Sequence, residues 1–161
     1  MELADGVEDV FDALAVIEQR LPDAERLVPP SVLDELAYLA DSGRTASLRE
    51  SASKSFRQLR TQPRFRPVLE APFAPERAAE LAETFRVRQL LPGEEVHDAL
   101  ILAETVLLGC GVLLTSDEHL RAVDHEQLSW ALSAQNLASP VIATPREIVR
   151  KFFFAEFQNV P

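Results

Sequence analysis

Apolar residues recur at helical spacing along most of this chain. Val7, Val10 and Leu14 begin a stripe that continues to Leu21 and predicts an amphipathic helix over 6–21, with Asp5 in the N-cap position. The same spacing, bounded by proline, glycine and capping residues, predicts further helices over 31–40, 46–59, 75–90, 94–108, 118–122, 126–135 and 144–154.

Short apolar runs lie between these helices and predict strands. The runs cover 26–28, 67–69, 112–115 and 140–143, and 2–4 is a candidate for a very short first strand. Strands that alternate with helices are typical of a parallel sheet covered by helices on both faces. The predicted fold class is therefore α/β, a three-layer α/β/α arrangement around a short central parallel sheet. Ligand sites in such folds collect at the carboxyl ends of the strands.

Length and composition fit one globular domain over 1–161. The formal net charge of −10 argues against a protein that binds nucleic acid over most of its surface, because phosphates would be repelled. The single cysteine excludes an internal disulfide and favours a reducing compartment. Because the N-terminal stretch is acidic and no apolar run is long enough to cross a membrane, we expect a cytoplasmic protein that does not contact membranes.

Four carboxylates occupy positions that suit a metal site. Asp5 follows the candidate first strand, Asp117 follows the strand over 112–115, and Asp98 lies in the narrow polar arc of an apolar helix. Glu35 lies at the edge of the apolar stripe of the second helix, where we expect it to be half-buried. Carboxylates that converge from separate elements hold Mg²⁺ or Mn²⁺, which polarises a phosphodiester and lowers the pKa of bound water.

Each of these acids also has a simpler structural interpretation. Asp5 and Asp117 are candidates for helix N-caps, Glu35 could be a solvated helix acid, and Asp98 could cap or merely solvate its helix. The nearby histidines are not expected as metal ligands, because an oxygen-rich site has little need of imidazole. One of them, His119, is a candidate for contact with a phosphate. The sequence leaves both interpretations of the acids open.

Several segments of the chain resemble the PIN-domain family of ribonucleases. Residues 97–104 and 112–117 (HDALILAE and VLLTSD) resemble the second half of a PIN domain, and they are the most specific part of the resemblance. Residues 28–36 (VPPSVLDEL) resemble the family's segment that carries its acidic helix residue. Residues 139–147 (SPVIATPRE) resemble its last strand and helix, so the resemblance covers nearly the whole chain.

The resemblance implies a small divalent-metal-dependent endoribonuclease, similar to the VapC-type toxins of bacterial toxin–antitoxin pairs. The family's catalytic and metal-binding acids would fall on Asp5, Glu35, Asp98 and Asp117. The implied cofactor is Mg²⁺ or Mn²⁺, and a hydroxyl of Thr115 or Ser116 would support the site directly or through a bound water. The implied substrate is RNA. An antitoxin protein and a second copy of the chain, in a homodimer, are further candidate partners.

The N-terminal segment departs from the family pattern. The family's first strand usually ends in Asp-Thr-Asn or a similar sequence, whereas Gly6 and Val7 follow Asp5 here, and Asp9 fits less well as a substitute. An alternative function is therefore a catalytically incomplete PIN-like domain that binds RNA or a protein partner. A nuclease that acts on DNA ends or flaps is a third candidate, because phosphate contacts do not distinguish RNA from DNA.

A basic stretch covers residues 44–66 and contains seven bases and one acid. Its local net charge is +6, so the remaining 138 residues carry −16. Arginine suits contacts with phosphates, and the candidate nucleic-acid-binding residues are Arg57, Arg60, Arg64 and Arg66. Phe56 and Phe65 are interleaved with them and are candidates for base stacking. The alternatives are ion pairs with neighbouring acids and an acidic partner such as an antitoxin.

Overall fold

A computed structural model of the protein describes residues 8–61 and 64–157, without the side chains of Asp9 and 152–157. The helices are α1 (Glu8–Arg20), α2 (Pro30–Ser42), α3 (Ala46–Thr61), α4 (Pro75–Val87), α5 (Val96–Leu107), α6 (Glu118–Arg121), α7 (His125–Ser133) and α8 (Pro145–Phe157). The strands are β1 (Leu27–Val28), β2 (Arg66–Pro67), β3 (Val112–Leu114) and β4 (Val141–Ala143). Of the helices in this described part, none is both long and apolar enough to cross a membrane.

The predicted helices are present, and capping chemistry explains where they begin and end. At the start of α8, the backbone N–H of Glu147 donates to Thr144 Oγ1 at 3.1 Å, and that of Thr144 donates to Glu147 Oε2 at 2.8 Å. This reciprocal pair is the predicted capping box. Helix α4 ends before the predicted Leu90, because Gln89 adopts a left-handed conformation (φ 57°). The backbone N–H groups of these two residues then bond back to carbonyls of the last turn, in a Schellman motif.

The described strands pair in parallel, as predicted, but they form two separate pairs. In one pair, Leu27 lies beside Arg66 in β1 and β2. In the other, Val112 of β3 lies beside Val141 of β4. The strand predicted over 67–69 is displaced toward the N-terminus, because Leu69 is 83% exposed and does not belong to the strand. The candidate strand over 2–4 and Asp5 lie outside the described residues.

The chain divides into two compact units. The first comprises Met1–Val28, Val32–Pro67 and Thr144–Pro161. Within it, α1 packs against α8, and β1 pairs with β2. The second unit comprises Pro29–Ser31 and Val68–Ala143. The prediction of a single domain over 1–161 stays a prediction.

The second unit has an apolar core between α4, α5 and α7. Phe85, Leu102, Leu128 and Leu132 are fully buried there. Burial of each such side chain contributes about 1.5–3 kcal/mol to the stability of the fold. Leu113 of β3 packs against the same core. The core therefore fixes α5 and β3, the two elements that present the acids at the candidate site.

Candidate functional site

Asp98 and Asp117 come from two elements of the second unit. Asp98 lies in the first turn of α5, and Asp117 is the residue directly before α6, three positions after the end of β3. Helices α5 and α6 contact each other. Asp117 therefore lies beyond the carboxyl end of β3. Since β3 pairs in parallel with β4, this is the end of the strand where ligand sites collect in α/β folds.

The carboxyl of Asp98 is electrostatically perturbed. Its pKa is raised from 3.8 to about 6, and the largest cause is burial of this half-exposed side chain. The negative charge of Asp117 is the second cause, and that of Glu95 is the third. Positive charge on His119 and His97 acts in the opposite direction. Asp98 and Asp117 therefore repel each other, and a divalent cation held by both would relieve that repulsion.

The interpretation of Asp117 as an N-cap is confirmed. Its Oδ1 accepts hydrogen bonds from the backbone N–H of His119 at 2.8 Å and of Leu120 at 3.2 Å. These bonds fix the carboxylate at the start of α6. Neither bond involves Oδ2, so the cap itself does not consume that oxygen. Capping and metal binding are therefore compatible roles for this residue.

Of the two supporting hydroxyls, Thr115 is built into the turn that carries Asp117. Its Oγ1 accepts a hydrogen bond from the backbone N–H of Asp117 at 3.1 Å. Its own backbone N–H donates to the carbonyl of Ala143 at 3.0 Å, which extends the ladder between β3 and β4. Thr115 thus holds the acid in place through the backbone, whereas Ser116 is exposed.

Sequence reasoning missed Glu95 at this site. Glu95 Oε1 lies 3.4 Å from His119 Nε2, and the Glu95 charge adds to the pKa rise of Asp98. The signal that could have revealed Glu95 is its spacing. Residues three apart in a helical turn share a face, and Glu95 precedes Asp98 by three positions.

Glu35 is exposed, so the expectation that it is half-buried is wrong. In α2 the buried apolar position is Leu36, and at 100° per residue Glu35 is turned away from it. Glu35 belongs to the first unit, whereas Asp98 and Asp117 belong to the second. Among residues 8–61 and 64–157, no three His, Cys, Asp or Glu side chains form a group that could hold a metal ion. Because Asp5 lies outside those residues, the set of four acids stays a prediction.

Glu104 is a second residue that sequence reasoning did not assign. Its side chain is 5% exposed, in the most apolar of the described helices. Its Oε2 accepts a hydrogen bond from the backbone N–H of Ser31 at 3.0 Å and another from Ser31 Oγ at 2.6 Å. Ser31 is the second residue of α2, so its N–H lacks a partner within that helix. No local pattern reveals this pair, because the partners are 73 positions apart.

The four candidate arginines fall into two classes. Arg57 and Arg60 are exposed on α3. Arg64 Nε lies 3.5 Å from Glu18 Oε1, and one guanidinium nitrogen of Arg66 lies 2.7 Å from Glu25 Oε2. The ion-pair alternative is therefore realised for Arg64 and Arg66. Phe56 and Phe65, expected to be available for base stacking, are both half-buried instead.

Comparison with protein families supports the resemblance. The family model described as "PIN domain" matches residues 3–126, a range that contains all four candidate acids. The three-layer α/β/α fold of that family agrees with the helices and parallel strand pairs described above, which confirms the predicted fold class. No curated protein and no solved structure matches the chain significantly.

Proposed function

Because the chain belongs to the PIN-domain family, we propose that it is a divalent-metal-dependent endoribonuclease with Mg²⁺ or Mn²⁺ as its cofactor. PIN domains are generally nucleases, and PIN nucleases act on RNA. The observation that carries the proposal is the placement of Asp98 and Asp117 at the starts of two contacting helices of the second unit, where the charge of Asp117 contributes to the raised pKa of Asp98. Perturbed carboxylates of this kind cluster at functional sites.

The donor chemistry fits a hard divalent cation. Mg²⁺ and Mn²⁺ prefer carboxylate and hydroxyl oxygens, and the repulsion between Asp98 and Asp117 favours a cation beside them. Asp98 and Asp117 are the proposed ligands from the second unit, and the resemblance to the family adds Asp5 and Glu35 as candidates. When bound, the cation would polarise the phosphodiester of the substrate and lower the pKa of a bound water.

The chain's own residues prepare the site before substrate arrives. The bonds from His119 and Leu120 hold the Asp117 carboxylate in one orientation. Thr115 holds the turn beneath it. Because Asp98 is partly withdrawn from water, its charge acts in a medium of lower polarity and is less screened. Such preorganised charges need no rearrangement when the phosphodiester binds.

The proposal is tested by cleavage of RNA with the wild type and with Asp98→Asn, in Mg²⁺ and in Mn²⁺. Mutation of a residue that only hydrogen-bonds to a metal ligand typically reduces activity about 10–100-fold. Loss of a ligand itself should therefore reduce cleavage in Asp98→Asn at least about a hundredfold. Asp34→Asn is the matched control, because Asp34 is an exposed acid outside the site. It should cleave like the wild type.

Two results would contradict the proposal. One is a folded Asp98→Asn variant with wild-type activity. The other is a wild type that binds RNA but cleaves none in either metal, which would support the alternative of a catalytically incomplete binding domain. DNA substrates of the same sequence belong in the experiment, since preferential cleavage of DNA would support the third candidate.

At a finer level, we propose a VapC-like toxin of a type II toxin–antitoxin pair that acts in the cytoplasm. The support is the resemblance of 97–104 and 112–117 to the second half of a PIN domain, because the relatives in that family include VapC-type toxins. An antitoxin protein would be the partner, and a homodimer the candidate assembly. Induced expression of the wild type should arrest bacterial growth, whereas Asp98→Asn should not. Growth unaffected by an active nuclease would rule out the toxin role while leaving the nuclease assignment in place.

A further inference from the structure

Helix α3 carries a cationic face opposite its packed face. At about 100° per residue, Lys54, Arg57 and Arg60 lie within an arc of about 120°. The buried positions Ala52 and Ser55 lie about 140° and 160° from Arg57 on the same projection. Lys54, Arg57 and Arg60 are all exposed. We call these three residues the α3 cationic face.

The α3 cationic face differs from the rest of the basic stretch in its partners. Within residues 8–61 and 64–157, its three side chains make no ion pair or hydrogen bond. Arg64 and Arg66, by contrast, face Glu18 and Glu25. Like charges three positions apart destabilise a helix. The exposed acid Glu50, four positions before Lys54, offsets only part of that cost, because it is one negative charge against three positive ones. A polyanion would offset the remainder.

The surrounding charge makes this face distinctive. The whole chain carries −10, and the residues outside 44–66 carry −16. Most of the surface therefore repels a polyanion, and the α3 cationic face is where one would be attracted. Its three charges span about 9 Å along the helix. Phosphates of one strand repeat at about 3.4 Å along a duplex axis, so the face can contact neighbouring phosphates of one strand.

The face carries no exposed aromatic side chain on which a base could stack. The one aromatic residue of α3 is Phe56, which is half-buried and lies about 100° from Arg57. Because the three charges are spread over about 9 Å of helix rather than gathered at one base edge, we expect Lys54, Arg57 and Arg60 to contact phosphates, which carry no sequence information. They would also not distinguish ribose from deoxyribose, because the 2′-hydroxyl is not part of the phosphate.

We infer that the α3 cationic face is a sequence-independent contact surface for the phosphate backbone of the substrate, and that Arg64 and Arg66 are not part of it. This inference rests on the proposed function for the identity of the polyanion. It assigns Lys54 to the surface and removes two arginines that the sequence alone made candidates. Helix α3 would then position the nucleic acid on the protein. Any sequence preference would come from other residues.

The test separates binding from cleavage by working in the Asp98→Asn background with a chelator present. Binding of a short unstructured RNA and of DNA of the same sequence is followed by fluorescence anisotropy over a range of salt concentrations. Arg57→Gln, Arg60→Gln and Lys54→Gln should each lower the slope of log affinity against log salt by about 0.7 for each lost contact on a single strand. The loss of affinity should be equal for RNA and DNA.

Arg66→Gln is the matched control, because it removes the same charge from an arginine that already pairs with Glu25. It should leave the slope unchanged. Equal slope changes for Arg57→Gln and Arg66→Gln would overturn the inference, because the attraction would then be diffuse. Unchanged slopes for all three face variants would also overturn the inference. They would favour an acidic protein as the partner of this face.

These outcomes are distinguishable from failure of the proposed function. A wild type that cleaves RNA while the face variants bind normally would refute the surface and leave the nuclease assignment standing. Slope changes in the face variants of a protein without nuclease activity would support the surface and refute the nuclease assignment. Circular dichroism and melting of each variant identify any loss of folding, which is not expected for exposed side chains.

Discussion

The backbone N–H and the hydroxyl of Ser31 both donate to the same carboxylate oxygen, Oε2 of Glu104, at 3.0 and 2.6 Å. Both residues are buried, with 3% and 5% of their surfaces exposed. The N–H belongs to the first turn of α2, where the helix offers no acceptor of its own. A buried carboxylate from α5 therefore stabilises the start of α2.

Glu104→Ala should lower the free energy of unfolding by about 3 kcal/mol. The substitution leaves the Ser31 N–H and hydroxyl without an acceptor, and each unsatisfied buried group costs about 1–3 kcal/mol. Glu104→Gln keeps an amide oxygen as acceptor and should cost about 1 kcal/mol. Chemical denaturation of both variants measures the difference, and equal losses would show that the hydrogen bonds are not what Glu104 contributes.

Without metal, the wild type should gain stability relative to Asp98→Asn as the pH falls from 7 toward 4. Asp98 has a pKa of about 6 in the folded protein and 3.8 as its ordinary value, so the folded state binds the proton first. Protonation over this window therefore favours folding. After allowance for solvent screening of the half-exposed group, the effect is about 1 kcal/mol.

The measurement is the difference in unfolding free energy between wild type and Asp98→Asn across that pH range, with a chelator present. Subtraction removes the contributions of groups that do not interact with Asp98, because these are the same in both proteins. At pH 7 the variant should be the more stable protein, because repulsion with Asp117 is absent. A pH-independent difference would mean that Asp98 is not perturbed in solution.

Mg²⁺ or Mn²⁺ should raise the melting temperature of the wild type by mass action. At ten times the dissociation constant, a ligand specific for the folded state adds about 1.4 kcal/mol. For a chain of this length that corresponds to about 3–6 °C. Asp98→Asn should lose most of the shift, whereas Asp34→Asn should keep it. The same shift in Asp98→Asn as in the wild type would place the metal elsewhere.

Local signals account for what the sequence predicted correctly. The capping box of Thr144 and Glu147, and the acid that follows β3, depend on residues a few positions apart. The end of α4 was missed because Gln89, a residue with no special preference, adopts the left-handed conformation usually taken by glycine. The Ser31–Glu104 pair was missed because only the folded chain brings residues 73 positions apart together.

In the basic stretch, too, long-range contacts could not be predicted from the sequence. Composition correctly marked residues 44–66 as basic, but it could not show which of the cations form ion pairs within the described residues. Arg66 pairs with Glu25, which precedes it by 41 positions, whereas Arg57 lies on the solvent face of α3. Whether an arginine can contact a phosphate depends on such long-range partners, which the sequence pattern does not contain.

The central claim, that Asp117 acts in metal-dependent cleavage and not only as a cap, is tested most directly by two matched substitutions. Asp117 and Asp124 are both N-caps, of α6 and α7, and each accepts backbone N–H hydrogen bonds at its helix start. Asparagine preserves a cap, so Asp117→Asn and Asp124→Asn remove one charge each and leave both folds intact. RNA cleavage in Mn²⁺ should fall at least about a hundredfold in Asp117→Asn and stay at the wild-type rate in Asp124→Asn. Equal activity of the two folded variants would contradict the account, because Asp117 would then be a cap and nothing more.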